Sequence, residues 1–478
     1  MRKSVILSLY RPLDIRLMVA TGIVERIAEA ADIILLVPKV YLTELRQRVS
    51  GTVRVEALRF PTSKVRSDDL YVGFTGGWRG YLRDRLAAIA ELTYGNRGGA
   101  NESGVLVRAE YLRRANRPHM LAVWAIANLA CRSRTLRRLL QQMWLWTCPF
   151  RPHADLYSET QPVLLVTASA GLGVDGMVMA EAAAQGCPTA VVVQSWDKTS
   201  TKGYPPVAPA HMLVWSDRTA EEAVAYLDMR PDQVHIVGAP VWDHYFRDPG
   251  IERAQFLREF DLAADTRSVV YVSIGYPAHH EGNLAITETL LDALTRGDLP
   301  AGTALLFRLH PVYFEFEAER RDLMRVFERY LPSDRWHVDI PSGGGNSYFL
   351  DDKDGQKLAN IFRHSTICVQ ASSTQMIEAA IFDCMVIDVA FGRWHNKYFD
   401  LDISDLDLTH LRRVGSADAA NRVNSRQDLV DTLADLVQRE DDGRRDRRRA
   451  LVAQELSVNR GDAAKAMADK LVELIHAG

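Results

Sequence analysis

Ser372, Ser373, Thr374 and Glu378 have the types and spacing to hold a phosphorylated sugar. They lie in STICVQASSTQMIEAAIFDCMVIDVAFG, residues 365–392. This stretch predicts a buried strand (Thr366 to Gln370), a polar turn (Ala371 to Thr374), a helix (Gln375 to Phe382) and a second buried strand (Met385 to Val389). Hydroxyls at a helix start, with free backbone N–H groups and the positive end of a dipole, suit a phosphate. Glu378 lies about one turn further in, where a carboxylate can accept hydrogen bonds from two vicinal ribose hydroxyls. An ordinary βαβ unit with a Ser/Thr cap and a solvated Glu has the same residues, so the reading depends on the rest of the chain.

A second chemical stretch is LLVTASAGLGVDGMVMAEAAAQGCPTAVVVQSWDKTSTKG. Gly171, Gly173 and Gly176 form a literal G-x-G-x-x-G, with Asp197 roughly 20 residues on, as in a dinucleotide fingerprint. Asp175 argues against that ligand, because its carboxylate would face the pyrophosphate. The loop fits better as a turn that aims Asp175 into a cleft between domains, where it is the candidate general base. A helix cap is the alternative. Trp196, Asp197, Lys198 and Lys202 follow a buried strand, and strand C-termini in open α/β sheets line the ligand crevice. They are candidates for the acceptor side. Trp242 and Asp243 read as packing and cap residues.

Gly275 ends a strand and would let a backbone approach the donor phosphates. Arg308 and His310 share one face of a strand end and could neutralise a leaving diphosphate; the alternative is an Arg308 buried against a core carboxylate. His279 and His280 lack a third ligand at metal spacing. Asp351, Asp352 and Asp354 read as a mobile acidic loop. The sequence contains no Walker loop, no HExxH and no G-x-S-x-G elbow, and no metal site is expected.

These residues need elements to position them. Apolar strand-like runs alternate with helical ones from Ser4 to Leu9 onward, which implies parallel sheets covered on both faces. Val19 to Ala31 predicts one helix. Trp242 to Asp265 is polar and helical and marks a boundary, after which strands restart at Ser268 to Ile274. The expected architecture is α/β, with two doubly wound Rossmann-like domains and an interdomain cleft. The expected boundaries are 1–245 for an N-terminal acceptor domain, 246–265 for a connection, 266–445 for a nucleotide-donor domain and 446–478 for terminal helices. EDDGRRDRRRA, residues 440–450, reads as a solvated helix or linker.

The 478 residues and net charge of −3 fit a soluble multidomain protein and give no global reason to expect nucleic acid. Five scattered cysteines without CxxC spacing fit a reducing cytoplasm. Residues 105–151 contain nine arginines against Glu110 alone, interleaved with Trp124, Trp144 and Trp146. Such a basic and aromatic insert suits the surface of an anionic membrane. A core helix with an Arg-rich face is the alternative.

Together VVVQSWDKTSTKG, VWSD, VGAPVWD, FRLHP and ASSTQMIEAAIFD resemble the GT-B glycosyltransferases. The likeness is closest to bacterial cell-envelope members related to the CDP-glycerol glycerophosphotransferases and UDP-N-acetylglucosamine 2-epimerases. It spans residues 155 to 390. The resemblance implies a nucleotide-sugar donor in the C-terminal domain, with pyrophosphate at Ser372 and Ser373, ribose at Glu378, and Arg308 and His310 near the phosphates. It also implies a glycan or lipid-linked acceptor on the N-terminal domain, no cofactor and no essential metal. Gln194-Ser195 stands where the glycerophosphotransferases carry His-Gly, and the epimerases' carboxylates have no residue-by-residue match. Sugar transfer is therefore the expected reaction. A polyol-phosphate transferase or an epimerase on the same fold is the alternative, and a nicotinamide or flavin oxidoreductase using Gly171 to Gly176 is more remote.

Overall fold

The computed structural model describes residues 2–60, 78–97, 118–171, 173–201, 204–341, 352–371, 373–391, 395–396, 401–402 and 409–478. The chain divides into two compact units. One comprises Met1–Asp243, Leu408–His410 and Glu455–Gly478, and the other comprises His244–Asp407 and Leu411–Gln454.

The first unit holds seven parallel strands: β1 (Ser4–Ser8), β2 (Asp32–Val37), β3 (Arg54–Ala57), β4 (Leu164–Thr167), β5 (Thr189–Val192), β6 (His211–Val214) and β7 (Val234–Ile236). Their order is β3-β2-β1-β4-β5-β6-β7. The second unit has β8 (Ser268–Ile274), β9 (Thr303–Leu309), β10 (Trp336–Asp339), β11 (Ile367–Gln370), β12 (Met385–Val389), a two-stranded ribbon of β13 (His395–Asn396) and β14 (Leu401–Asp402), and β15 (Asn421–Val423). Its parallel sheet runs β10-β9-β8-β11-β12-β15. The central strands are buried along their whole length, as their mostly apolar composition requires. Each such side chain contributes about 1.5–3 kcal/mol on burial. The expected α/β class with two doubly wound sheets is what the protein has.

In both sheets the strand order reverses once. The reversal lies between β1 and β4 in the first unit and between β8 and β11 in the second. Open α/β sheets bind ligands outside the carboxyl ends of the strands at this switch point.

Three local readings change. The helix expected over Val19 to Ala31 is broken at Gly22, whose φ of +76° only glycine adopts without strain. What precedes it is a short helix, Pro12–Ile15, continued as a π-helical turn over Arg16–Ala20. The charge run near 445 is a helix, Arg445–Glu455, but it is not wholly solvated. Arg448 is fully buried and ion-paired with Asp383 and Asp442. Asp243 is a cap, as expected, but of a remote helix. Its carboxylate accepts from the amides of Ala463 (3.0 Å) and Ala464 (2.8 Å), at the start of Ala463–Ala477. Trp242 packs edge-on against Trp215, with ring centres 5.0 Å apart.

Candidate active site

The switch point of the first sheet is built by three strand ends. After β1 the chain turns through Arg11 into the helix Pro12–Ile15, and Asp14 accepts a 2.8 Å hydrogen bond from the Arg11 amide. After β4 the glycine loop leads into the helix Val174–Ala184, with Asp175 in its first turn. The Arg11 guanidinium donates to Asp175 Oδ2 at 2.7 Å. Both carboxylates are fully buried. One arginine is thus flanked by two acids. Burial, opposed by Arg11 and reinforced by the Asp175 charge, pushes the Asp14 carboxyl up to about 6. The Arg11 guanidinium stays charged, because the two acids outweigh its own desolvation.

Two more polar groups belong to this end of the sheet. Gln194, just past β5, is buried, and neither atom of its amide has a hydrogen-bond partner among the described residues. An orphaned buried amide costs about 1–3 kcal/mol, a penalty more often found where a ligand completes the bonding. Lys198 bears electrostatically on Asp14. It begins a short helix, Lys198–Thr201, in which the Thr201 hydroxyl donates to Asp197. Trp196 is buried, its ring centre 5.3 Å from that of His410. Lys202 lies outside the described residues.

Asp175 is therefore turned inward onto Arg11, not outward from a flexible turn. Of this glycine pattern, Gly176 has a packing cause. A Cβ on Gly176 would lie 2.7 Å from the Gly171 carbonyl oxygen and 2.8 Å from the Pro206 ring, whereas one on Gly173 would meet nothing within 4 Å. Arg11, Asp14 and Gln194 were not singled out as site residues from the sequence. The signal was there: a charged Arg-Pro-Leu-Asp directly after the first strand, at the carboxyl edge where ligands bind.

At the switch point of the second sheet, Gly275 follows β8. Asn283 grips its backbone on both sides, accepting from the Gly275 amide (3.1 Å) and donating to its carbonyl (3.1 Å). Asn283 also donates to the Tyr313 hydroxyl at 2.9 Å. His310 follows β9. Its Nδ1 accepts from the Val312 amide (3.2 Å), so Nε2 carries the proton of the neutral ring. Burial, with Arg308 nearby, lowers the imidazole to about 4. His310 is thus a neutral donor near pH 7, not a cation.

Arg308 is held on both sides. It pairs with Asp339, which also binds Lys357, and it donates to both oxygens of Asp354 at 2.8 and 2.7 Å. Two acids and two cations balance. Asp354 lies on the helix Asp352–His364. Asp351 falls outside the described residues.

After β11, Ser372 also lies outside the described residues. The Ser373 amide donates to Gln370 Oε1 at 2.7 Å, and the Gln375 amide donates to the Ser373 hydroxyl at 3.3 Å. Gln370 is fully buried and donates in turn to Asp388 (2.9 Å), which fixes the start of the turn. Thr374 is the N-cap residue of the helix Gln375–Ile381 and makes no side-chain cap bond there. Glu378 is buried and accepts from the Tyr245 hydroxyl at 2.7 Å. A carboxylate offers about four acceptor sites, so that bond is compatible with a ribose diol. Among the described residues, no group of three or more His, Cys, Asp or Glu could hold a metal ion.

No protein-family model matches the chain, and no curated protein is similar to it in sequence. Solved structures do match. The UDP-GlcNAc 2-epimerase of Neisseria meningitidis, solved with UDP-GlcNAc, has a TM-score of 0.54 at 10% identity, over 98% of this chain and 100% of that one. The S. aureus MnaA–UDP structure has a TM-score of 0.51 at 9% identity, over 99% and 97%. The UDP-N-acetylglucosamine 2-epimerase of Rickettsia bellii has a TM-score of 0.50 at 12% identity, over 100% and 97%. The fold is therefore GT-B, as the resemblance implies.

Proposed function

We propose that the protein is a metal- and cofactor-independent enzyme of nucleotide sugars that transfers the sugar to a cell-envelope glycan or lipid-linked acceptor. The observation that carries this reading is the buried Asp14–Arg11–Asp175 cluster at the switch point of the first sheet. A transferase must remove a proton from an acceptor hydroxyl, and a carboxyl that titrates at about 6 is matched to proton transfer near neutral pH. The Asp14 and Asp175 pair, not Asp175 alone, is the candidate acid–base group. Gln194 and Lys198 are candidate contacts to the acceptor.

On the donor side, the diphosphate would lie beside Gly275 and the turn at Ser373 and Thr374, where Ser372 is also expected. The Gly275 and Ser373 amides are already held by Asn283 and Gln370, so the contacts there would be made by hydroxyls. His310 would donate from Nε2, and Glu378 would accept from the ribose. Arg308, already bound by two carboxylates, would act by holding the end of β9 in place and not by direct contact with phosphate. No metal is needed in this scheme, because the leaving group is stabilised by fixed donors.

Epimerisation of a nucleotide sugar on the same fold is the second reading. It is favoured by the Neisseria and Rickettsia structures, both of 2-epimerases. The test is calorimetry with UDP, CDP and GDP, followed by NMR of the cognate nucleotide sugar incubated with the enzyme. Transfer predicts slow release of nucleotide and free sugar that depends on Asp175. Epimerisation predicts a second nucleotide sugar with no nucleotide released. Failure to bind any nucleotide would reject both.

A further inference from the structure

The helix Arg134–Trp146 displays apolar side chains on its exposed side as well as packing Trp144, Leu140 and Leu145 on its inner side. Its buried positions are Arg137, Gln141 and Trp144. Arg137 binds both oxygens of Asp228, at 2.5 and 2.8 Å, and Gln141 donates to the Pro205 carbonyl at 2.7 Å. Leu139, Met143 and Trp146, spaced to share one face, point to solvent with exposures of 55%, 38% and 55%. An ordinary surface helix would carry polar residues at Leu139, Met143 and Trp146, so the exposed apolar stripe is what calls for a partner.

The displayed face continues onto the neighbouring helix Trp78–Asn96. Trp78 is 61% exposed, and its ring centre lies 5.3 Å from that of Trp146. The Arg79 guanidinium lies over both rings, 5.6 and 5.3 Å from their centres. An indole pair with a guanidinium stacked on it is suited to the boundary between headgroups and acyl chains. The helix Pro118–Ala130 packs on the same assembly and exposes Trp124 and Leu129.

Charge decides the occupant. Residues 118–151 contain no Asp or Glu. Arg79, Arg132 and Arg134 are exposed around the apolar face. On the helix Trp78–Asn96 Asp84 is half-buried and Glu91 buried, so arginines dominate the rim around tryptophan and leucine, which complements an anionic bilayer. No described helix is long and apolar enough to cross a membrane, so the contact lies in the interface plane. Residues 105–117 of the basic insert fall outside the described residues and are not needed for this surface.

We infer that this face docks on an anionic lipid surface, with Trp78, Met143 and Trp146 entering the interface and Arg79 among the headgroups. The inference does not depend on the nucleotide reading. The test is co-sedimentation of the full chain with phosphatidylglycerol vesicles and with phosphatidylcholine vesicles, at low and high salt. The wild type should bind phosphatidylglycerol at least roughly tenfold more tightly than phosphatidylcholine, and high salt should release it. Leu139→Ser, Met143→Ser and Trp146→Ser together should lower binding by at least roughly tenfold, with an unchanged circular dichroism spectrum and unchanged nucleotide affinity. Arg79→Glu should weaken binding to phosphatidylglycerol alone. Equal binding by wild type and triple variant, or no binding by wild type, overturns the inference. So does a dimer in solution that the triple variant dissolves, because the face would then belong to a second copy.

Discussion

Arg11 and Arg308 each lie near the carboxyl end of a strand, and each is bound by two carboxylates. What surrounds them differs. The Arg11 cluster holds two buried acids beside the part-buried Arg11, with Lys198 acting on Asp14 only electrostatically, and burial pushes the Asp14 carboxyl up to about 6. The Arg308 cluster adds Lys357 on Asp339, so its charges cancel. A buried carboxyl without a direct guanidinium or ammonium partner, as Asp14 is here, can exchange a proton near neutral pH, whereas a cluster whose acids are both directly ion-paired locks geometry. On the proposed function the chemistry would fall to the first unit's cluster and support to the second's, although both are arginine–carboxylate networks.

The largest effects test that assignment directly. Asp175→Asn should lower turnover of the cognate nucleotide sugar by about 10²–10⁴-fold, as loss of an acid–base group does, with little change in nucleotide affinity. Arg308→Ala should instead destabilise the protein by about 3–5 kcal/mol in urea denaturation, because it leaves the buried Asp339 and the part-buried Asp354 without their main partner. If Arg308→Ala folds normally and loses only activity, the two clusters are alike and the comparison fails.

Next in size is Glu378. The Tyr245 hydroxyl depends on it, so an alanine would mix a folding defect with a binding one, and Glu378→Gln is the cleaner variant because it retains an acceptor. Losing charge-assisted bonds to a ribose should weaken nucleotide binding by about 1.5–3 kcal/mol in calorimetry. An unchanged affinity would remove Glu378 from the site.

The two units should also respond oppositely to pH. The folded Asp14 carboxyl is raised to about 6 from 3.8, so between those values the native state binds more protons than the unfolded one. Its contribution is lost as pH rises through that window. The folded His310 imidazole is lowered to about 4 from 6.5, so the unfolded state binds more protons there, and stability is lost as pH falls. Each change in stability should be at most about 3–3.5 kcal/mol, at about 1.4 kcal/mol for every tenfold change in proton affinity. Asp14→Asn should flatten the first and His310→Gln the second. Thermal melts from pH 4 to 7 that keep their slopes in these variants would place the titration elsewhere. The smallest expected effect is none at all: turnover should survive EDTA. Activity abolished by chelation and restored by magnesium would move attention to the acidic residues near Asp354.

Much of the fold is written in local pattern. Continuous apolar runs such as SVVYVSI and TALLFRL can only be strands covered on both faces, and the helices between them force parallel order. The edge strands Arg54–Ala57 and Asn421–Val423 escape such reading, because they are short and half-exposed and carry no strong period. Gly22 gave no warning of a break either, because a glycine inside a helical pattern is often tolerated.

The candidate residues divide along the same line. Asp175, Gly275, His310 and Glu378 could be named as candidates because each lies in the segment after a strand, in the residue types that phosphates, sugars and protons require. Their partners were not. Arg11 and Asp175 are 164 positions apart, Arg308 and Asp354 are 46 apart, and Tyr245 reaches Glu378 across 133. The sequence by itself determined two doubly wound sheets and which residue types stand at their carboxyl edges, since hydrophobic period and strand ends are local properties. Only the tertiary structure decided which charges meet, and hence that burial raises Asp14 while Asp339 and Asp354 are held directly by Arg308. A buried group's charge state depends on the neighbours that replace its water, and those neighbours come from distant parts of the chain.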